Sequence, residues 1–358
     1  MTTRRQVLAG LLATGLTPRP SWADLGGPAF LSAAGLPDGG YALCGISAAH
    51  DVLFRLPLPT RGHAAAAHPT RPEAVAFARR PGTFALVIDC RTGDVRATLN
   101  APTGRHFYGH GVFSQDGTRL YTTENDFEAG EGRIGIWDAT QNYRRIAEIP
   151  SGGIGPHDIK RLPGKDTLVV ANGGIETHPD SGRSKLNLPT MRPNLSYIDQ
   201  GEVSEQIELT ADLHKNSIRH LAVSASGEVA FAMQRQGDIT DLPLLALHKR
   251  GTAPRLAQAT STDWRAMRGY IGSVAFSTSG LQLAVTSPRG GRVQLFDTQT
   301  ATLQDQVQMA DVCGVATTRD GLVVTSGTGA IRFLSGRTTP VPGLRWDNHL
   351  VAIRESST

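Results

Sequence analysis

Histidine returns at one matching place in this 358-residue sequence. His63, His110, His157, His220 and His349 each open a short apolar run, behind Gly, Gly, Pro, Arg and Asn in turn. Neutral imidazole is the commonest side-chain ligand for zinc, copper, iron and nickel. If the five rings converge, two or three of them can hold one ion while the others donate hydrogen bonds around it. With Glu124 and Asp126 nearby, the set would mix nitrogen and oxygen donors and suit iron or copper. Two other uses compete with this one. The histidines tie strands together within each repeat, as a Gly-His pair does in WD-type repeats. Or histidine and arginine together hold a small anion.

The elements that must position these residues form a repeat. A polar or glycine start leads into a short apolar strand, a turn, a second strand, a variable loop, and a third strand ending near Asp. The clearest copy runs His110-Gly-Val-Phe-Ser-Gln-Asp-Gly117, Thr118 to Thr123, then Arg133 to Asp138. Others open at Ser273 and His220, and weaker ones at His63, His157 and Gly314. Asp-Gly and Ser-Gly pairs supply the positive φ that a tight two-strand turn needs. A last repeat is split. Its first strand, His349 to Ile353, would join Tyr41–Ile46 and Asp51–Phe54 from the other end of the chain. Sharing a repeat between the ends closes a ring and hides its sheet edges. The expected fold is therefore all-β, a seven-bladed β-propeller of four-stranded antiparallel blades, at about 48 residues per blade. The segment Asp238–His248 reads as a turn of helix in a loop.

In a propeller the first strand of each blade lines the central channel. The recurring histidines should thus ring its mouth. Ser273 and Gly314 break the series in adjacent blades, so the expected ring is an arc with one open side. Second-strand ends lie on the same face and are polar. They supply Asn125, Asn172, Gln234, Arg235 and, after Pro288, Arg289 as outer partners. A long insertion, Gly173 to Pro193, carries Glu176, His178, Asp180, Arg183 and Lys185 and is placed to fold over the mouth as a lid. His50, His68, His106, His214 and His248 read as surface residues. No Ser-His-Asp or Cys-His arrangement is visible, and no residue is assigned a catalytic role.

Residues 1–23 read as an export leader. Thr3-Arg4-Arg5-Gln6-Val7-Leu8 is a twin-arginine pattern, followed by a short apolar run and small residues at Ser21 and Ala23. Residues 24–358 are then one propeller domain in the periplasm. Losing the leader removes three arginines and no acid, so the formal net charge of +4 falls to +1. No basic stripe with interleaved aromatics remains, which argues against nucleic acid as a partner. No later segment is apolar for the roughly 20 residues that a membrane-spanning helix needs. The protein is expected to be monomeric. Three cysteines, Cys44, Cys90 and Cys313, read as small apolar residues.

Several segments carry a family resemblance. They include the twin-arginine start, Gly109-His110-Gly111, Thr123-Glu124-Asn125-Asp126, Gly155-Pro156-His157-Asp158, Ala171-Asn172-Gly173-Gly174-Ile175 and Trp346-Asp347-Asn348-His349. Together they resemble an exported propeller family catalogued as domain of unknown function 1513. The resemblance implies a setting beside imelysin-type periplasmic proteins and di-haem oxidoreductases, and so a role in iron uptake. It supplies no catalytic residues. Three functions follow as expectations. The first is a non-enzymatic, periplasmic metal-handling protein. The second is a lactonase-like enzyme acting on a small anionic substrate. The third is a docking platform for an iron or haem uptake partner.

Overall fold

The computed structural model describes residues 20–78, 84–182 and 184–353. The twin-arginine segment and Arg183 of the insertion lie outside them. Where the sequence alternates apolar and polar residues between turn pairs, the chain forms antiparallel meanders. Blade 2 shows how the local chemistry works. Its strands Arg105–Phe113 and Arg119–Asp126 are joined at Asp116-Gly117. Asp116 accepts from Ser114 Oγ at 2.6 Å and Thr118 N at 2.9 Å, and Gly117 takes φ 72°. The same turn recurs at Gly227 and Gly280, with φ 83° and 73°.

Seven antiparallel blades result, six of four strands and one whose innermost strand is in two pieces. Blades 1 to 6 begin with the strands Gly62–Ala67, Arg105–Phe113, Pro156–Arg161, Asn216–Val223, Ser273–Phe276 and Val312–Thr318. These first strands touch one another in order around the ring. Blade 7 takes its innermost position from the C-terminus and the rest from the N-terminus. Its second strand is Phe30–Gly35, followed by Tyr41–Ile46 and Val52–Leu58. The run Phe-Leu-Ser-Ala-Ala-Gly has no alternation because both its faces are buried, and it does not stand out in the sequence. The expected closure is present, but Tyr41–Ile46 is the third strand of that blade rather than the second.

The core is divided among the seams. Seven apolar clusters each span one pair of neighbouring blades. Val75 and Phe77 of blade 1 meet Phe107, Leu120 and Trp137 of blade 2, for example. Phe30 and Cys44 of blade 7 meet Val323 of blade 6, with Trp346 and Leu350 from the closing segment. No blade can bury its faces alone, so ring completion and core formation are one event. All three cysteines are buried and unbridged, with thiols pushed up to about 12 by burial.

Two local expectations are corrected. Residues 238–244 form no helix. The chain enters the strand Leu245–His248, and the one α-helix among the described residues is Ser261–Ala266, closed by a Thr260/Asp263 capping box. His50, His68, His106 and His248 are buried, not surface. His68 shows why. Its Nδ1 accepts from Thr70 N and Arg71 N, so Nε2 carries the proton and donates to the Gly117 carbonyl across the seam. Burial lowers this imidazole to about 4, so it stays neutral. Trp22, inside the expected leader, is also buried and donates from Nε1 to the His68 carbonyl at 2.9 Å.

Candidate metal centre

The five recurring histidines do come together. Ring centroids lie 5.0 Å apart for His63–His110, 4.9 Å for His110–His157, 4.9 Å for His157–His220 and 5.1 Å for His220–His349. The circuit closes with His63–His349 at 4.6 Å. The expected arc therefore has no open side. Gly314 explains this. A Cβ there would lie 2.6 Å from the Leu350 nitrogen, so the bare glycine lets the closing segment swing inward and carry His349 to the cluster. Ser273, the other exception, accepts from Val315 N at 3.1 Å and secures the neighbouring inner strand.

The histidines do not all open their strands. His110 is the sixth residue of a nine-residue strand and His220 the fifth of eight. What they share is a defect in the ladder. Register shifts occur between Gly62 and Ala65, Phe107 and Gly111, Pro156 and Asp158, and Ile218 and His220. In blade 7 the inner strand is broken between Arg345–Trp346 and Val351–Ala352, with His349 in the gap. A bulge bends the strand and re-aims the side chain at its apex. His63, His110 and His157 are among the unpaired residues of their bulges, His220 directly follows the unpaired Arg219, and His349 lies in the break, so an irregular ladder accompanies every one of the five imidazoles.

Two groups of three can each present one ring nitrogen within 4.8 Å of the others. They are His63–His110–His349 and His110–His157–His220. His110 belongs to both. Its Nδ1 lies 3.2 Å from Asp158 Oδ1, and His157 Nδ1 lies 3.0 Å from the Arg219 carbonyl. Both partners only accept, so each Nδ1 carries the proton and each Nε2 keeps its lone pair. Metal-binding histidines are held in this way by a carboxylate or carbonyl behind them. Among the described residues, His110 Nε2, His220 Nδ1 and His349 Nε2 are buried without a hydrogen-bond partner. A buried polar atom left so costs about 1–3 kcal/mol, and three in one cluster call for a ligand.

Asp158 is the residue that sequence reasoning missed. Besides His110 it accepts from Lys160 Nζ at 3.0 Å and Leu221 N at 2.9 Å, joining blades 2, 3 and 4. Burial alone would raise its carboxyl, but Lys160 and His110 outweigh that and hold it far below the usual range. The available signal was a charged residue next to His157 inside an inner strand. Asp347 stands behind His63, its Oδ1 4.0 Å from Nδ1, and accepts from Arg61 at 2.7 Å.

The two carboxylates assigned from sequence lie elsewhere. Glu124 is fully buried and bound twice by Arg145, at 2.6 and 2.9 Å. Thr122 Oγ1 donates to it at 2.9 Å, accepts from Trp137 Nε1, and Arg145 covers the Trp137 ring. Glu124 points along the sheet into its own blade, where it neutralises Arg145. Asp126 pairs with Arg105 and caps the Ala129 nitrogen. Neither belongs to the histidine groups. Arg145→Ala should leave Glu124 buried and unpaired, a loss of about 3–5 kcal/mol that a denaturant melt would read.

The outer partners divide. Gln234 Nε2 lies 3.4 Å from His220 Nε2, so this one touches the cluster. Asn125 instead bonds His106 and the Thr177 carbonyl, and Asn172 bonds Ser151, Asn194 and Ser196. Arg235 bonds Asn216 Oδ1, and Arg289 lies over the Tyr270 ring at 4.4 Å. The insertion does fold across the face. Thr177 meets blade 2 through Asn125, and Lys185 Nζ reaches Gln236 of blade 4 at 2.5 Å. His178 packs its ring against Phe127 and lies 3.7 Å from Glu128.

Burial holds His157 and His349 well below their ordinary value and His220 at about 3. At neutral pH these rings are uncharged and able to bind metal. In the unfolded chain they would take up protons below about 6.5. Their contribution to stability is therefore complete above that pH and declines as pH falls. Metal-free protein should lose about 1 kcal/mol per pH unit for each such histidine between pH 6 and 4. Chemical melts across that range test it, and stability unchanged down to pH 4 would contradict neutral burial.

Among the described residues no helix is long and apolar enough to cross a membrane. No curated protein matches the sequence. In structure, the chain is similar to Kuenenia stuttgartiensis hydrazine synthase, with a TM-score of 0.60 and 15% identity over 92% of this chain and 99% of that one. At that identity the likeness speaks for the propeller fold alone. Residues 56–353 match the family described as "Protein of unknown function (DUF1513)", and with the bulged inner strands inside that span, the chain belongs to this family.

Proposed function

We propose that this protein is a periplasmic metal-handling propeller that seats one transition-metal ion among its channel histidines. One observation carries the reading. Three imidazoles can bring a ring nitrogen within 4.8 Å of one another, and two of them have Nδ1 tied back to Asp158 and the Arg219 carbonyl. His63, His110, His157, His220 and His349 are the candidate ligands. Asp158 and Gln234 act behind them.

The placement of Glu124 and Asp126 changes the choice of ion. Without carboxylate donors the set is all nitrogen. For such sites affinity rises from Fe²⁺ to Cu²⁺ and falls again at Zn²⁺. Copper is the ion this donor set favours, and iron is the one the family setting suggests. Both fit a role in metal acquisition. Metal-free protein dialysed against Cu²⁺, Zn²⁺ and anaerobic Fe²⁺ should retain about one ion per chain. X-ray absorption should then show three nitrogen neighbours at about 2.0–2.1 Å, as imidazole ligands give. Protein that stays metal-free against all three would end the reading.

A further inference from the structure

The expected leader and the folded chain overlap at their border. A cut after Ala23 would discard Ser21, Trp22 and Ala23, yet all three take part in the fold. Trp22–Leu25 is a short 3-10 turn, opened by Ser21, whose N–H donates to Asp24 Oδ2 at 2.7 Å, and closed at Gly26 with φ 77°. Trp22 is 8% exposed. It shares an apolar cluster with Leu31 and Leu43 of blade 7 and with Ala65, Ala74 and Ile88 of blade 1. Its Nε1 donates to the His68 carbonyl, and His68 in turn donates to the Gly117 carbonyl of blade 2 at 3.1 Å. The turn thus sits at the joint between blades 7 and 1 and is tied onward to blade 2.

A leader peptidase reads small residues at alternate positions of the chain it cuts, which requires an extended strand lying in its site. The bond it would cut here, between Ala23 and Asp24, lies in a closed turn. The Ala23 carbonyl accepts from Gly26 N at 3.1 Å, and Asp24 N donates to the Ser21 carbonyl at 3.2 Å. Straightening this segment would open the turn and draw the indole out of the core. The twin-arginine pattern makes this matter, since its pathway carries chains that have already folded.

We propose that residues 21–25 are a permanent wedge of the folded protein, and that the leader is severed on their N-terminal side. The mature chain then begins at or before Ser21. Trp22 acts in it as a structural residue that braces the joint between blades 7 and 1. Nothing in the inference depends on metal at the histidines, so either can fail alone.

The full-length chain is expressed in a bacterium with a twin-arginine pathway, and the periplasmic product is read by N-terminal sequencing and intact mass. Its first residue should be Ser21 or one upstream of it. A product beginning beyond Ser21, at Asp24 above all, would overturn the proposal. Thermal melts test the wedge itself, whether or not a cut occurs. Trp22→Ala in the full-length chain, and a chain made to begin at Asp24, should each melt about 5–10 °C below the parent. Trp22→Phe keeps a ring in the cluster and gives up the N–H, so it should lose less. Unchanged melting temperatures in Trp22→Ala and in the chain that begins at Asp24 would overturn the proposal equally.

Discussion

His110→Ala should abolish metal binding, and no other single histidine change should do so by the same logic. His110 is the one ring common to both three-imidazole groups. Its Nδ1 is held by Asp158, so only Nε2 is free to coordinate, and a single ion must choose one group or the other. His157→Ala removes the group with His220. His349→Ala removes the group with His63. Whichever of these two variants loses more than about 100-fold in affinity names the seat in use, since loss of an outer partner alone costs only about 10–100-fold. Asp158→Asn belongs to that lesser class. It should keep the fold of the inner strands while weakening the metal, because an amide holds His110 less firmly than a carboxylate. Calorimetric titration with Cu²⁺ and Zn²⁺ measures all four. Unchanged affinity in His110→Ala would place the metal outside this cluster.

Removing residues 345–358 should leave no cooperatively folded ring. The deletion strips Trp346 and Leu350 from the seam between blades 6 and 7. Each is a large buried side chain, and losses of this kind cost about 2–5 kcal/mol apiece. It also bares one edge of Phe30–Gly35 along its length, since that strand pairs on this side with Arg345–Trp346 and Val351–Ala352. The sum is comparable with the whole stability of a typical domain, about 5–15 kcal/mol. Circular dichroism melts and size-exclusion chromatography of the shortened chain are the test. A cooperative melt near the full-length temperature would show that the ring holds without its final strand.

The blades were legible because their turns are chemical. Ser114 to Gly117, Ser224 to Gly227 and Ser277 to Gly280 each announce a positive-φ corner, and apolar alternation fills the strands between them. The histidine cluster was legible for a related reason, since equivalent positions in equivalent blades must face the same axis. The bulges were not. A bulge is a relation between two strands, and nothing in Phe107 to Gly111 alone says that its partner, Glu124 to Thr122, advances more slowly. Glu124 was misplaced because a strand end shows which blade a carboxylate belongs to but not which neighbour takes its charge. Arg145, which neutralises it, comes from the outermost strand, 21 positions on. The buried histidines went unrecognised because imidazoles that bond turns obey no period. The insertion from Gly173 to Pro193 could be placed over the face by its length, but not its contacts with Asn125 and Gln236.

The join in blade 7 has a further consequence for when the cluster exists. Ser32 Oγ donates to the His349 carbonyl across 317 positions of chain. A contact between such distant residues carries a large loop-closure cost, which the rest of the ring must offset. His349 reaches the other four only through this closure, so the five imidazoles are complete only in a finished ring. An ion bound among them would recognise the closed molecule and not the open one. At a hundred times its dissociation constant it would favour closure by about 2.7 kcal/mol. That energy would act at the seam where the two ends of the chain meet, so the ion would serve as a clasp and its loss would loosen the ring there first.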